Sequence, residues 1–388
     1  MSVRNIVILG STGSIGRSTL TVLDQHPGRY KIIALAAHSN LELLLEQYRR
    51  YKPGHLCLVD ETRGRELTAL LKDEPVRVVV GEEALVSLAA LDDANVVLNA
   101  VVGAAGLKAS LETIKRGKDL ALANKESLVC GGPLFSPLAK KTQARILPVD
   151  SEHSAVWQAL TAGKKEEIRR IILTASGGPF RDYPADKFET ITPEQALAHP
   201  TWKMGPKITI DSATLVNKGL EIIEAVVLFQ VPAEKIKVVI HPQSVIHSMV
   251  EFIDSSVIAQ LSRPDMCLPI TFALFWPDRV ESSFGQVDWE ALGPLTFEKP
   301  DTDRFPALDI AYRVADQGGT APAIFNAANE VAVSAFLNKT VKFTDITDMI
   351  DMTLNKMEII AEPGLRDILD ADRRAREFCS AVLEKKEC

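Results

Sequence analysis

The chain has 388 residues, too many for one typical core, so two or three domains are expected. Hydrophobic residues make up 46% and charged residues 24%, the balance of a globular protein and not of a disordered or membrane-embedded one. The net charge of −7 argues against a binder of nucleic acid or of anionic membranes. A phosphorylated small molecule would still bind through a local cluster of donors. No apolar run approaches the roughly 18 residues of a membrane span. The five cysteines (Cys57, Cys130, Cys267, Cys379 and Cys388) contain no CxxC pair. Such an odd, dispersed set reads as reduced thiols. With no signal peptide before the first apolar run, the expected location is cytoplasmic.

Residues 5–9 form a continuous apolar run, the mark of a strand buried on both faces. A glycine turn follows, then a helical pattern over 15–26 that Pro27 and Gly28 stop. Further strands are expected at 31–37, 55–59, 76–80, 96–98, 120–122 and 145–147. Helical stretches, 41–51 the clearest, separate most of them. This alternation predicts a doubly wound parallel sheet of α/β class over residues 1–150. After Asp150 the pattern changes. Strands at 168–174, 207–210, 236–240, 245–253 and 257–261, with a helix over 213–229, predict an α+β domain with a mixed sheet over 151–285. Residues 286–302 carry proline, glycine and acids, and read as a linker. From 303 to 388 the pattern is nearly all helical, clearest at 321–337, 346–360 and 371–386, and predicts a C-terminal helical bundle.

Gly10-Ser11-Thr12-Gly13-Ser14-Ile15-Gly16 follows the first strand and opens the first helix. In that position glycines allow a tight turn and close approach of backbone to a pyrophosphate, while the helix N-terminus offers free N–H groups. The spacing is GxxGxxG, one residue longer in its first turn than the standard fingerprint. The second strand ends in His38, Ser39 and Asn40 with no acid. An NAD enzyme places a ribose-binding carboxylate there, so the small polar donors favour NADP. The first domain is therefore expected to bind NADP.

Asn124-Lys125-Glu126 follows the strand at 120–122, and ligands of open α/β sheets bind at such carboxyl ends. Asp150 and Glu152 flank Ser151 just after the strand at 145–147. In extended geometry both carboxylates point to one side, and they repel unless a cation or a proton lies between them. Oxygen-only ligands suit Mg²⁺ or Mn²⁺. A helix N-cap is the competing reading of the same residues. Glu221 supplies a third carboxylate. On a helix it shares one face with Asn217 and Lys218, and Ser212 lies near that helix's start. Lys218 with Glu221 is equally readable as a surface ion pair. Ser176-Gly177-Gly178 offers a hydroxyl and backbone donors. The stretch from His199 to Pro206 brackets Trp202 and Met204 with prolines and reads as a lid that excludes water. His241 and His247 read better as structural histidines than as metal ligands.

These motifs, together with 241–248 and 326–330, run end to end and resemble the 1-deoxy-D-xylulose 5-phosphate reductoisomerases of the non-mevalonate isoprenoid pathway. The resemblance implies an NADPH-dependent, divalent-metal-dependent homodimer using Mg²⁺, Mn²⁺ or Co²⁺. Its substrate would be a small phosphorylated sugar, rearranged and reduced to 2-C-methyl-D-erythritol 4-phosphate. It further implies that Asp150, Glu152 and Glu221 bind the metal. Lys125, Ser151, Glu152 and Asn217 would surround the reacting oxygens. Ser176, Ser212, Asn217 and Lys218 would hold the phosphate, and His199, Trp202 and Met204 would belong to the lid. Thr12, Gly13, Ser14, Ile15, Asn124, Glu126 and Gly205 would contact NADPH. Two other readings compete. A metal-assisted, NADP-dependent oxidative decarboxylase of hydroxy acids predicts an arginine cluster, where these motifs offer serine, asparagine and lysine. A non-catalytic NADP-sensing regulator has no use for three carboxylates and a lid.

Overall fold

In the computed structural model, which describes residues 3–202 and 204–387, the chain forms two compact units. Lys203, inside the expected lid, and Cys388 lie outside the described residues. The first unit comprises residues 3–127, 135–150 and 265–284, and the second 128–134, 151–264 and 285–387. Among the described residues, no helix is long and apolar enough to cross a membrane.

The first unit holds a seven-stranded parallel sheet in the order β4-β3-β2-β1-β5-β6-β7. Its strands are β1 (Arg4–Leu9), β2 (Tyr30–Ala37), β3 (His55–Leu58), β4 (Arg77–Val80), β5 (Val96–Asn99), β6 (Asp119–Leu122) and β7 (Ile146–Pro148). A helix follows each of the first six: α1 (Ser14–Gln25), α2 (Leu41–Tyr51), α3 (Glu61–Leu70), α4 (Glu82–Ala89), α5 (Leu107–Lys115) and α6 (Lys125–Thr142). Ile6, Val7, Ile8 and Leu9 are fully buried, as a strand covered on both faces requires. The strand order reverses between β1 and β5, which makes their carboxyl ends the switch point where such sheets bind ligands. Charge at the opposite edge is used differently. Asp119 opens β6 and takes Arg145 Nε at 2.9 Å and a second bond from Arg4. Burial alone would raise its carboxyl pKa, but the two guanidinium groups outweigh it and the net shift is downward. That ion cluster fastens strand starts and lies away from the switch point.

The second unit begins with α7 (Ser151–Leu160) and β8 (Ile168–Ala175), then the short α8 (Pro193–Ala196). Next come α9 (Pro206–Ala213), α10 (Val216–Phe229), β9 (Ile236–Ile240), β10 (Ile246–Phe252) and β11 (Val257–Leu261). The sheet runs β11-β10-β8-β9, with β8 and β9 parallel and the other pairs antiparallel. It is the mixed sheet the sequence predicts, with one correction. Residues 207–210 are not a strand but lie in α9. Gly205 caps that helix and Pro206 stands at its first turn, where a fixed φ and a missing N–H suit a helix start. The alternation Ile208-Thr209-Ile210 imitates a strand over too short a window to prevail. The expected helix over 213–229 is present as α10 and starts three residues later, at Val216. Leu215 takes a left-handed φ of 59°, and the chain turns there from α9 into α10.

After β11 the chain passes through α11 (Cys267–Phe275), then α12 (Ala307–Gln317), α13 (Ala321–Leu337), α14 (Asp345–Lys356) and α15 (Leu365–Glu387). Helix α11 belongs to the first unit. Phe275 packs edge-on against His26 with ring centroids 4.6 Å apart, and Tyr30 donates its hydroxyl to the Leu274 carbonyl. Helices α12 to α15 share one core with the second unit: Val314, Phe325 and Phe336 cluster with Leu173, Ile222 and Ile223. Gly219 permits this. A Cβ there would meet the Ala311 methyl at 2.8 Å, so α10 lies directly on α12. Residues 286–302 contain neither helix nor strand, and touch β9 through one bridge between Glu298 and Ile240.

Candidate functional site

The glycine loop of the first unit is shaped by backbone contacts. Gly10 has φ 87°, and a Cβ there would sit 2.5 Å from the Ala100 carbonyl oxygen. At Gly16 a Cβ would lie 2.3 Å from Gly10 O and 2.5 Å from Ser11 Cα. Helix α1 can therefore seat its first turn on the loop only if residue 16 is glycine. Gly13 caps α1, and the first turn holds no acid. The N–H groups of Ser14 and Ile15 thus open an N-terminus with no competing negative charge. Ser11 is fully buried and donates to Gln47 of α2 at 2.7 Å, which returns a bond to Ser11 O at 2.9 Å. This chemistry fits a pyrophosphate. At the end of β2, His38, Ser39 and Asn40 are exposed, and Asn40 caps α2 through Leu43 N at 3.1 Å.

Asn124 is buried and knitted inward, donating to Gly103 O at 2.9 Å and to Glu126 at 3.0 Å. Gly106 makes room for it, since a Cβ there would sit 2.4 Å from Asn124 Oδ1. The next residue, Lys125, is only 6% exposed and holds Asp150 at 2.7 Å. Asp150 is the last residue of the first unit before the chain enters the second.

In the second unit two carboxylates converge on one ammonium. Glu152 accepts from Lys218 Nζ at 2.8 Å and from Ser151 Oγ at 2.5 Å. Lys218 also donates to Glu221, whose other oxygen takes Asn217 Nδ2 at 2.6 Å. Lys218 is 3% exposed and Glu221 1%. Burial pushes the Lys218 pKa down, but the two carboxylates outweigh it and the net shift is upward. Two carboxylates thus stand close together around Lys218, and every ligand atom they offer is oxygen. That donor set fits a hard divalent cation. His153 is fully buried behind it, with Nε2 3.0 Å from Glu221 O and Nδ1 3.4 Å from Glu224. It fastens the start of α7 to α10.

A second cluster surrounds Ser176. Gly177 and Gly178 both have positive φ, and a Cβ on Gly178 would sit 2.8 Å from Ser212 O. The Ser176 loop thus rests on the α9–α10 corner that carries Ser212. Ser176 Oγ lies 3.0 Å from His199 Nε2. His199 Nδ1 accepts from Thr201 N at 3.1 Å and Trp202 N at 2.9 Å. A nitrogen that accepts two N–H bonds carries no proton, so the tautomer is Nε2–H and the donor points at Ser176. Burial holds the imidazole pKa below 6.5. Protonation at Nδ1 would abolish both acceptor bonds. The loop geometry is therefore complete above pH 6.5 and is lost as pH falls through the lowered pKa. We expect the emission difference between the protein and W202F to be constant above pH 7 and to change below 6.5; a flat difference down to pH 5 would count against this latch.

The remaining sequence-read residues fall as follows. The Trp202 ring packs at 6.2 Å from His247, whose Nε2 lies 2.8 Å from Ser262 Oγ. Met204 is half-buried, and Gly205 caps α9 in the second unit. His241 is structural: Nδ1 bonds Thr296 O at 2.9 Å, and Nε2 accepts from Val245 N and Ile246 N at 3.2 Å each.

Three family models match the chain, described as 1-deoxy-D-xylulose 5-phosphate reductoisomerase over residues 6–132 and as the C-terminal domains of that enzyme over 146–229 and 261–378. The reductoisomerase of Chlorobaculum tepidum is 52% identical over 98% of this chain and 100% of its own length. The chain belongs to the 1-deoxy-D-xylulose 5-phosphate reductoisomerase family. The enzyme of the same name from Prosthecochloris aestuarii is 51% identical over 98% of the chain and 99% of its own. Among solved structures, the Zymomonas mobilis family member in complex with NADPH has a TM-score of 0.92 at 43% identity, covering 99% of this chain and 100% of that one. A family structure with NADPH, fosmidomycin and magnesium has a TM-score of 0.92 at 39% identity, covering 98% of each chain.

The sequence reading assigned no role to Asp211, Asn329 or Ser262. Asp211 and Asn329 are bonded to each other at 2.8 Å. Their signal in the sequence was a polar residue inside an apolar helical stretch, which by itself does not say what it touches.

Proposed function

We propose that this protein converts 1-deoxy-D-xylulose 5-phosphate to 2-C-methyl-D-erythritol 4-phosphate with NADPH and Mg²⁺ or Mn²⁺, a step toward isoprenoid precursors. The observation that carries this reading is the α9–α10 corner of the second unit. Glu152 and Glu221, which share Lys218, make a hard-cation donor set, and Ser212, Asn217 and Lys218 supply anion donors beside it.

Asp150, Glu152 and Glu221 hold the metal, which when bound polarises a carbonyl as a Lewis acid. NADPH, held by Thr12 to Ile15 with Asn124, Glu126 and Gly205, supplies the hydride. His38, Ser39 and Asn40 stand nearest the expected 2′-phosphate. Ser176, Ser212, Asn217 and Lys218 bind the substrate phosphate, and that remote binding energy favours closure of the His199–Trp202–Met204 lid. Lys125 and Ser151 donate to the reacting oxygens. His199 keeps Ser176 oriented by donating to its hydroxyl.

We assign a homodimer. Strand β11 is an edge strand; Val257 and Ile258 in it are 48% and 37% exposed and Ile253 just before it is 59% exposed, an unprotected edge that a second copy would cover. We place the enzyme in the cytoplasm, since Cys57, Cys267 and Cys379 are buried free thiols.

The test is NADPH oxidation followed by absorbance. Oxidation is expected with 1-deoxy-D-xylulose 5-phosphate plus Mg²⁺ or Mn²⁺, and none with chelator. Reduction of NADP⁺ by a hydroxy acid instead, or no NADPH oxidation with the sugar phosphate, would contradict the reading.

A further inference from the structure

Helix α13 buries an almost wholly apolar surface, including Ile324, Phe325, Ala328 and Ala332. Asn329 interrupts it at 0% exposure. A buried amide in such a helix is unfavourable unless it is bonded. Its Nδ2 donates to Asp211 Oδ1 at 2.8 Å. Asp211 is 1% exposed, and its Oδ2 takes Lys207 Nζ at 2.8 Å. One buried carboxylate is therefore gripped from two sides, by the C-terminal helices and by the first turns of α9.

Its place in the chain gives the grip a function. Asp211 precedes Ser212. Its carbonyl accepts from Thr214 Oγ1 at 3.2 Å, and that hydroxyl in turn accepts from Val216 N at 3.4 Å. This hydroxyl closes the corner at Leu215, beyond which Asn217 and Lys218 project. Lys207 stands two residues past Gly205, where the lid joins α9. The triad thus fixes the phosphate-binding corner and the root of the lid together.

We propose that Asn329 is a positioning residue for the substrate phosphate, acting through Asp211. The inference rests on the phosphate role proposed for Ser212, Asn217 and Lys218. It also gives the C-terminal helices a task in binding: α13 holds the corner from behind. In N329L the branched heavy-atom shape is kept and the donor is lost, so Asp211 is no longer held to α13 and the corner shifts. Small misplacements of this kind weaken the interactions that depend on orientation.

The test is steady-state kinetics of the full chain with two substrates, 1-deoxy-D-xylulose 5-phosphate and its phosphate-free analogue 1-deoxy-D-xylulose. N329L is expected to raise KM for the phosphate ester about tenfold. Its kcat should stay within about threefold, and the KM for NADPH and kcat/KM for the phosphate-free sugar should be unchanged. The exchange D211N with N329D restores one hydrogen bond with donor and acceptor swapped, and should bring KM back toward the parent value. If N329L does not fold, N329S is measured in its place with the same expectation. An unchanged KM, an equal fall for both sugars, or no recovery in the exchange would each overturn the inference. A parent protein with no turnover of the phosphate ester would instead overturn the functional reading on which it rests.

Discussion

Glu221→Gln should lower kcat/KM by on the order of 10³-fold, about 4 kcal/mol of lost transition-state stabilisation, while NADPH affinity stays within a few-fold. Glutamine keeps the volume at a site that is 1% exposed and still accepts from Asn217. What it removes is one of the two charges that share Lys218. The proposed metal set then loses one of its anionic oxygen ligands, and the attraction for a hard divalent cation falls with it. The residues assigned to NADPH in the glycine loop belong to the other unit, which is why cofactor affinity should be spared. Titration of Mn²⁺ by electron paramagnetic resonance, alongside NADPH binding by fluorescence, separates the two effects. Loss of both in proportion would indicate misfolding, and loss of neither would remove Glu221 from the metal site.

Gly16→Ala is the second substitution with a large expected effect, and it acts on the other ligand. Its methyl would be forced to 2.3 Å from Gly10 O and 2.5 Å from Ser11 Cα. Both are backbone atoms, so no side chain can swing aside and α1 must lift from the loop. Overpacking of this kind costs about 1–3 kcal/mol of stability. NADPH affinity should fall at least about 100-fold, because the first N–H groups of α1 move with the helix. Gly13→Ala is the control. Its Cβ would have Gly10 O at 3.4 Å and ordinary backbone angles, so melting temperature should hold while NADPH binding weakens through the closer approach of a methyl to the ligand. Equal melting temperatures and equal NADPH affinities for G16A and the parent would contradict the assignment of this loop.

Much of the first unit was legible because each level of the sequence agreed. Apolar runs such as Ile6–Leu9 alternate with helical periods, and turn glycines stand between them. Such consistency leaves few competing folds. The second unit was harder to read where local signals conflict. The alternation of Ile208, Thr209 and Ile210 suggested a strand, but Gly205-Pro206, read from sequence only as the end of the lid, opens a helix there. Helix α11 could not be placed from sequence, since its attachment to α1 is made by His26 and Phe275, 249 residues apart in the chain. At the site, the helical spacing of Asn217, Lys218 and Glu221 was enough to put them on one face. The sharing of Lys218 between Glu221 and Glu152 was not readable, because it depends on how α7 packs beside α10. Asn329 illustrates the same limit: its role exists only through Asp211, 118 positions earlier.

The most direct test of the central claim follows the carbon skeleton. Isotope-labelled 1-deoxy-D-xylulose 5-phosphate is incubated with the protein, NADPH and Mg²⁺, and the product is read by carbon NMR. A branched product, with the methyl group on a quaternary carbon and one NADPH consumed per molecule, is the expected result. A straight-chain alditol phosphate would mean that the protein reduces the ketone without rearranging it, and would contradict the reductoisomerase assignment.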